Sequence, residues 1–225
     1  MLLLLFQAFL TLNSGAQVEY DSCNASSGQA WDFEVKLMGK AFVNKYPGRN
    51  ILFYKSWMPG ELQMSDGAIV KNKILVYNCL LDELIWMRAR DNEQVVLNKK
   101  TIAGFTLYDP DHQKIAEFKK ITLKDKFAAD SSDTYIQVLV KGRLTLYVER
   151  KVIFLENTNE FQSRDQYFLL KDGGLYDLVP NRWSLFRLMG EDGAKMKTIV
   201  RQNSLFVHQE PQLIRAVQLF NKEDN

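Results

Sequence analysis

The chain has 225 residues, with 29 Lys and Arg against 27 Asp and Glu, so its net charge is only +2. Apolar residues make up 46% and charged residues 25%. That balance excludes a disordered tail, a collagen-like fibre and a multispanning membrane protein, and it suffices for a packed core.

The N-terminal run Leu2–Leu12 is uncharged and too short for a transmembrane helix, which needs about 20 apolar residues. It has the length of a secretory-signal core, and Ser14-Gly15-Ala16 after it resembles a signal-peptidase site. Cleavage after Ala16 leaves Gln17 first, although no Lys or Arg precedes the run. The expectation is an exported protein, periplasmic or extracellular, with no integral membrane span after signal removal. Its two cysteines, Cys23 and Cys79, allow one disulfide or two unrelated thiols.

Gly60–Ser65 alternates, and Asp66-Gly67 is a hairpin signal. Lys73–Leu81 and Leu84–Ala89 read as strands around a turn or bulge at Asp82-Glu83. Leu75, Tyr77 and Cys79 fall on one face, and Ile74, Val76 and Asn78 on the other. Further strands are expected at Gln94–Leu97, Thr101–Tyr108, Lys114–Leu123, Thr134–Val140, Arg143–Glu149, Gln166–Leu170 and Leu175–Val179. Ala128–Asp133 and Glu156–Asp165 read as loops. No helical crossovers alternate with the strands, which argues against a parallel sheet. The pattern then turns helical. Asn181 suits an N-cap with Trp183, Phe186, Leu185 and Met189 facing inward, and Gly190 suits a stop. Asp192 starts a second helix with Met196, Ile199 and Val200 on one face. Pro211 opens a third, on which Leu213, Ile214, Val217 and Phe220 recur. The fold class is mainly β: an antiparallel sandwich or barrel with a short α-helical C-terminal segment. The division is 1–16 signal peptide, 17–180 antiparallel β domain, and 181–225 helical segment packed on the same domain.

Catalytic signatures are missing. The sequence contains no HExxH, paired CxxC, GxSxG, GxxxxGK or GxGxxG motif. His112, in Asp109-Pro110-Asp111-His112, reads better as a solvated turn than as a metal ligand, so no metal and no cofactor is expected. Asp82 and Glu83 are adjacent and face opposite ways on a regular strand, so a glycosidase pair must be assembled through space. The lysines at 99, 100, 114, 119, 120, 124 and 126 are interrupted by acids in a nearly neutral chain, which argues against nucleic acid.

Gly60-Glu61-Leu62-Gln63-Met64-Ser65-Asp66-Gly67, then Leu75-Val76-Tyr77-Asn78 and Asp82-Glu83-Leu84, resemble the pattern of an uncharacterised exported, β-rich protein family of Bacteroidota. Val138–Leu146, Tyr167-Phe168-Leu169-Leu170 and the C-terminal Phe220-Asn221 continue the likeness, with Phe220 where that pattern has tyrosine. The resemblance implies export and a β-rich body and carries no activity. Residues Trp57, Tyr77, Asn78, Asp82 and Trp86, in the most distinctive stretch, are the candidate ligand-binding set. The expected function is a non-enzymatic protein of the bacterial cell envelope that binds an envelope protein or a small ligand. Two alternatives stand beside it: a hydrolase of envelope or carbohydrate polymers using carboxylates brought together in space, and an apolar-ligand carrier in a β-barrel.

Overall fold

The computed structural model describes residues 39–46, 50–124 and 131–223. The signal-like segment, Cys23 and residues 128–130 of the expected 128–133 loop lie outside the described residues, and the rest of that loop is corrected: residues 131–133 are strand, paired with residues 122–124. Cys79 is a buried free thiol.

Eleven strands form one antiparallel sheet. In chain order they are β1 (Gly39–Ala41), β2 (Met58–Met64), β3 (Ile69–Asn78), β4 (Glu83–Arg88), β5 (Glu93–Leu97), β6 (Ile102–Tyr108), β7 (Lys114–Lys124), β8 (Ser131–Val140), β9 (Thr145–Glu149), β12 (Gln166–Lys171) and β13 (Gly174–Leu178). Between β9 and β12, β10 (Val152–Leu155) and β11 (Glu160–Ser163) make a separate hairpin. Within the sheet the order is β1-β5-β4-β3-β2-β6-β7-β8-β9-β12-β13, so β1 and β13 are its two edges. Among the described residues the sheet is therefore open, and the barrel alternative is corrected: no hydrogen-bonded pairing joins the edges.

The sheet nevertheless curls. One core cluster takes Leu75 and Tyr77 from β3, Leu84 and Trp86 from β4, Val95 and Leu97 from β5, Phe105 from β6, Phe118 from β7 and Tyr135 from β8. Tyr77 and Tyr135, from strands four places apart in sheet order, meet in it. At its centre Phe105 and Phe118 stack with ring centroids 4.6 Å apart, and Tyr77 and Tyr135 pack edge-on at 6.1 Å. Aromatic groups of this size dominate core burial and supply the grip that holds the curl. As alternation requires, Val76 and Ile85 lie on the opposite face, and both are buried too.

The helices α1 (Arg182–Met189), α2 (Gly193–Gln202) and α3 (Glu210–Glu223) cover the other end of the sheet. Asn181 caps α1 by accepting from the Ser184 N–H at 2.8 Å, and Gly190 closes it with φ 60°. Leu185, Met189, Met196, Ile199, Val200, Leu213, Val217 and Phe220 bury against Leu144, Leu146, Leu169 and Leu178. The side chain of Asn221 clamps α3 to the strand entry: the Leu144 N–H donates to Oδ1 at 2.9 Å and Nδ2 donates to the Leu144 carbonyl at 2.8 Å.

Two further expectations need correction. Trp183 does not face inward. It is 68% exposed, with the Arg187 guanidinium 4.3 Å over its ring, because the buried stripe of α1 runs through Ser184, Leu185 and Met189 instead. Glu156–Asp165 is not all loop, since Glu160–Ser163 pairs with Val152–Leu155. The first strand of that hairpin, Val152–Leu155, is apolar; Val152 is buried in the core, and Phe154 meets Phe161 at 5.0 Å.

Candidate functional site

The β3–β4 connection builds the site. Tyr77 pairs with Leu84 and Asn78 with Glu83, leaving Cys79–Asp82 as the turn. Asn78 Oδ1 accepts from the N–H groups of Leu80 at 3.0 Å and Leu81 at 3.2 Å, so its side chain substitutes for a backbone turn. Asp82 closes the turn at φ 51°, a left-handed conformation that Asp tolerates better than most residues.

This conformation aims the Asp82 carboxylate at the free edge of β8. β8 pairs with β7 from Phe118↔Gln137 to Lys124↔Ser131, whereas its pairing with β9 ends at Gln137↔Val148. Beyond that point the outward N–H of Tyr135 has no strand to meet. It donates to Asp82 Oδ1 at 3.2 Å, and Tyr77 Oη donates to the same oxygen at 2.7 Å. The other oxygen accepts from Lys99 Nζ at 2.6 Å and from Thr134 Oγ1 at 2.8 Å. A carboxylate has about four acceptor positions, and here all four are filled. A side-chain clasp thus joins the β3–β4 turn to β8 across the curl, where no strand pairing does so.

Glu149, the last residue of β9, stands next to the clasp. Thr134 Oγ1 lies 3.5 Å from its Oε1 and 2.8 Å from Asp82 Oδ2, so those two carboxylate oxygens are at most about 6 Å apart. Burial raises the Glu149 carboxyl above its ordinary range, Asp82 adds to the rise, and Lys151 opposes it. Burial and the Asp82 charge likewise push the Tyr77 phenol far up, so Tyr77 remains a proton donor to Asp82. Burial raises the Cys79 thiol to about 12, which keeps it inert.

These groups form one wall of a cleft of about 1130 Å³. Thr122, Leu123, Ser132, Gln166, Leu175 and Asp177 line the rest, with Lys151 and Arg164 at the base of the β10–β11 hairpin. On its far side Arg150 is committed to the fold. It donates to Gln137 Oε1 at 2.7 Å, Asp165 Oδ2 at 2.5 Å and Glu210 Oε1 at 2.8 Å, while Tyr167 Oη donates to Glu210 Oε2 at 2.9 Å.

Of the five residues singled out by sequence, Tyr77 and Asp82 meet in the clasp and Asn78 shapes the turn between them. Trp86 is buried in the aromatic core opposite Leu75. Trp57 lines a separate cleft of about 480 Å³ with Phe42, Tyr46, Val76 and Ile85. The sequence reading missed Lys99, Thr134 and Glu149. The curl of the sheet brings these three to Asp82 from other strands and loops. Among the described residues no cluster of His, Cys, Asp and Glu could hold a metal ion, and no helix is long and apolar enough to cross a membrane.

The fold and site define an open, curled antiparallel sheet that is clasped by one aspartate and carries a cleft of mixed lining beside the clasp. No known protein family, curated protein or solved structure matches the chain.

Proposed function

We propose that the chain is a non-enzymatic, exported protein of the bacterial cell envelope, periplasmic or surface-associated, that binds a ligand in the cleft beside Asp82. The signal-like N-terminus and the resemblance to exported Bacteroidota proteins support export. The saturation of Asp82 supports binding over catalysis. A carboxylate with four donors already on it has no lone pair left for a nucleophilic or general-base step, and its geometry serves the fold. The cleft is slightly larger than the usual small-ligand site and mixes polar with apolar lining.

A melting-temperature screen tests this reading, using neutral and acidic oligosaccharides, peptides and phospholipid headgroups. A ligand at about a hundred times its Kd adds about 2.7 kcal/mol, which is about 5–10 °C in a chain of this size. Ser132→Trp, at an exposed position on the cleft wall, is expected to abolish that shift while melting like the wild type without ligand. A screen with no shift, or a shift that survives Ser132→Trp, overturns the reading.

One observation favours a second reading, the hydrolase. Asp82 and Glu149 line one cleft with carboxylate oxygens at most about 6 Å apart, a proximity that a retaining glycosidase pair at about 5–5.5 Å also needs, and Glu149 carries the raised carboxyl an acid requires. Release of reducing ends from envelope polysaccharides by the wild type, lost in Glu149→Gln, would establish it in place of the binding reading. The apolar-carrier reading gains no support, because the sheet is open and aromatic side chains fill its curl.

A further inference from the structure

Two cations at the cleft are not consumed by the clasp or by the Arg150 network. Lys151 and Arg164 lie one step beyond the Val152↔Ser163 pair, and the Arg164 N–H donates to the Lys151 carbonyl at 2.7 Å. Directly opposed residues of an antiparallel pair project from the same face, where like charges repel. Both side chains are exposed, and both line the cleft. Neither makes an ion pair with a described carboxylate, in contrast to Lys99 with Asp82 and Arg150 with Asp165 and Glu210. The nearby Glu149 feels the charge of Lys151 without closing a salt bridge to it. An opposed cation pair with no closed salt bridge, at the mouth of a cleft, is an arrangement that an oxyanion relieves.

The rest of the wall narrows the choice. Thr122, Ser132 and Gln166 offer hydroxyl and amide groups, with Thr122 and Gln166 also donating to Asp133 and Asp177, and Leu80, Leu81, Leu123, Phe168 and Leu175 supply apolar surface. Such a wall suits a ligand rich in hydroxyls with ring C–H faces. An acidic peptide would bind best by pairing with the free edge of β8, and there the outward Tyr135 N–H is already taken by Asp82.

Building on the binding reading above, we propose that the cleft takes an acidic oligosaccharide, with a uronate carboxylate between Lys151 and Arg164 and sugar hydroxyls on Thr122, Ser132 and Gln166.

Calorimetric titration of the full chain tests this with three probes: tetragalacturonate, the neutral galactose tetramer of the same linkage, and tetraglutamate. The uronate is expected to bind, with the neutral sugar and the peptide each at least about tenfold weaker, the loss that one charge-assisted contact or its equivalent brings. Lys151→Gln with Arg164→Gln is expected to lose about a hundredfold in uronate affinity while the unliganded melting temperature holds or rises, since the repulsion is gone. Absence of uronate binding, equal binding of the neutral sugar or the peptide, or full affinity in the double variant overturns the proposal. Failure here is distinguishable from failure of the binding reading. If the neutral sugar or the peptide binds and Ser132→Trp removes that binding, only the ligand class is wrong.

Discussion

Replacing Asp82 by alanine takes one acceptor from four donors at once. Tyr77 is 1% exposed, and its hydroxyl then has no acceptor in the packed aromatic core. A buried donor left unpaired costs about 1–3 kcal/mol. Lys99 and Asp82 are only partly buried, with 28% and 25% of their side chains exposed, so their ion pair is discounted to about 1 kcal/mol. The Tyr135 N–H and Thr134 hydroxyl add about 1 kcal/mol together, since Thr134 keeps its contact with Glu149 and water can reach the rim. The expected loss is about 4 kcal/mol, read in urea denaturation as a lower midpoint at unchanged slope. In thermal melting it is about 8–16 °C. Asp82→Asn keeps both the left-handed backbone and one carbonyl oxygen for Tyr77, and it is expected to lose about half as much. A double-mutant cycle with Tyr77→Phe is expected to show coupling above about 1 kcal/mol. An Asp82→Ala variant within about 1 kcal/mol of wild type, or strict additivity with Tyr77→Phe, would refute the clasp.

Three further outcomes are expected. Glu149 has a raised carboxyl in the fold, so the folded state holds its proton where the unfolded chain has released it, and stability falls as pH rises above about 4.5. Glu149→Gln should remove that component, so variant-minus-wild-type unfolding free energy measured from pH 4 to pH 8 should grow with pH; a flat difference would show that the carboxyl is not perturbed. Asn221→Ala removes both hydrogen bonds to Leu144 and is expected to cost about 2 kcal/mol, with hydrogen exchange accelerating first in α3. Asn181→Ala should cost about 1 kcal/mol, and Asn181→Ser, which can still cap α1, should recover most of it in the same circular-dichroism melts.

Much of the scaffold was legible because it is local. Asp66-Gly67, Lys141-Gly142 and Asp172-Gly173-Gly174 mark hairpins through turn chemistry, and Asn181 and Gly190 mark a helix through its unsatisfied ends. Within the site, Tyr77, Asn78 and Asp82 were found together because a single turn holds them. Lys99, Thr134 and Glu149 were out of reach because only the curl brings them there, and no periodicity in one strand encodes how far a sheet bends. Trp86 and Trp57 were singled out for being near Tyr77 in sequence. Strand alternation and the packing of the curl then send Trp86 into the core and Trp57 to a different cleft. Trp183 shows the converse error: a large apolar residue at helical spacing was assigned inward, while the small Ser184 beside it takes the buried position.

The clasp also bears on how the molecule reaches its fold. The Thr134 and Tyr135 contacts of Asp82 span 52 and 53 residues of sequence. Closing a loop of that length carries an entropic cost that local hairpins avoid. The hairpins around Gly67, Gly142 and Gly173 can zip first, whereas the clasp can form only after the intervening strands have bent the sheet round. Its contacts therefore belong to the native side of the folding barrier. Loss of the Asp82 carboxylate should then leave the refolding limb of a chevron nearly unchanged and steepen the rate of escape from the native state, so this single aspartate acts mainly as a kinetic lock on an already folded sheet.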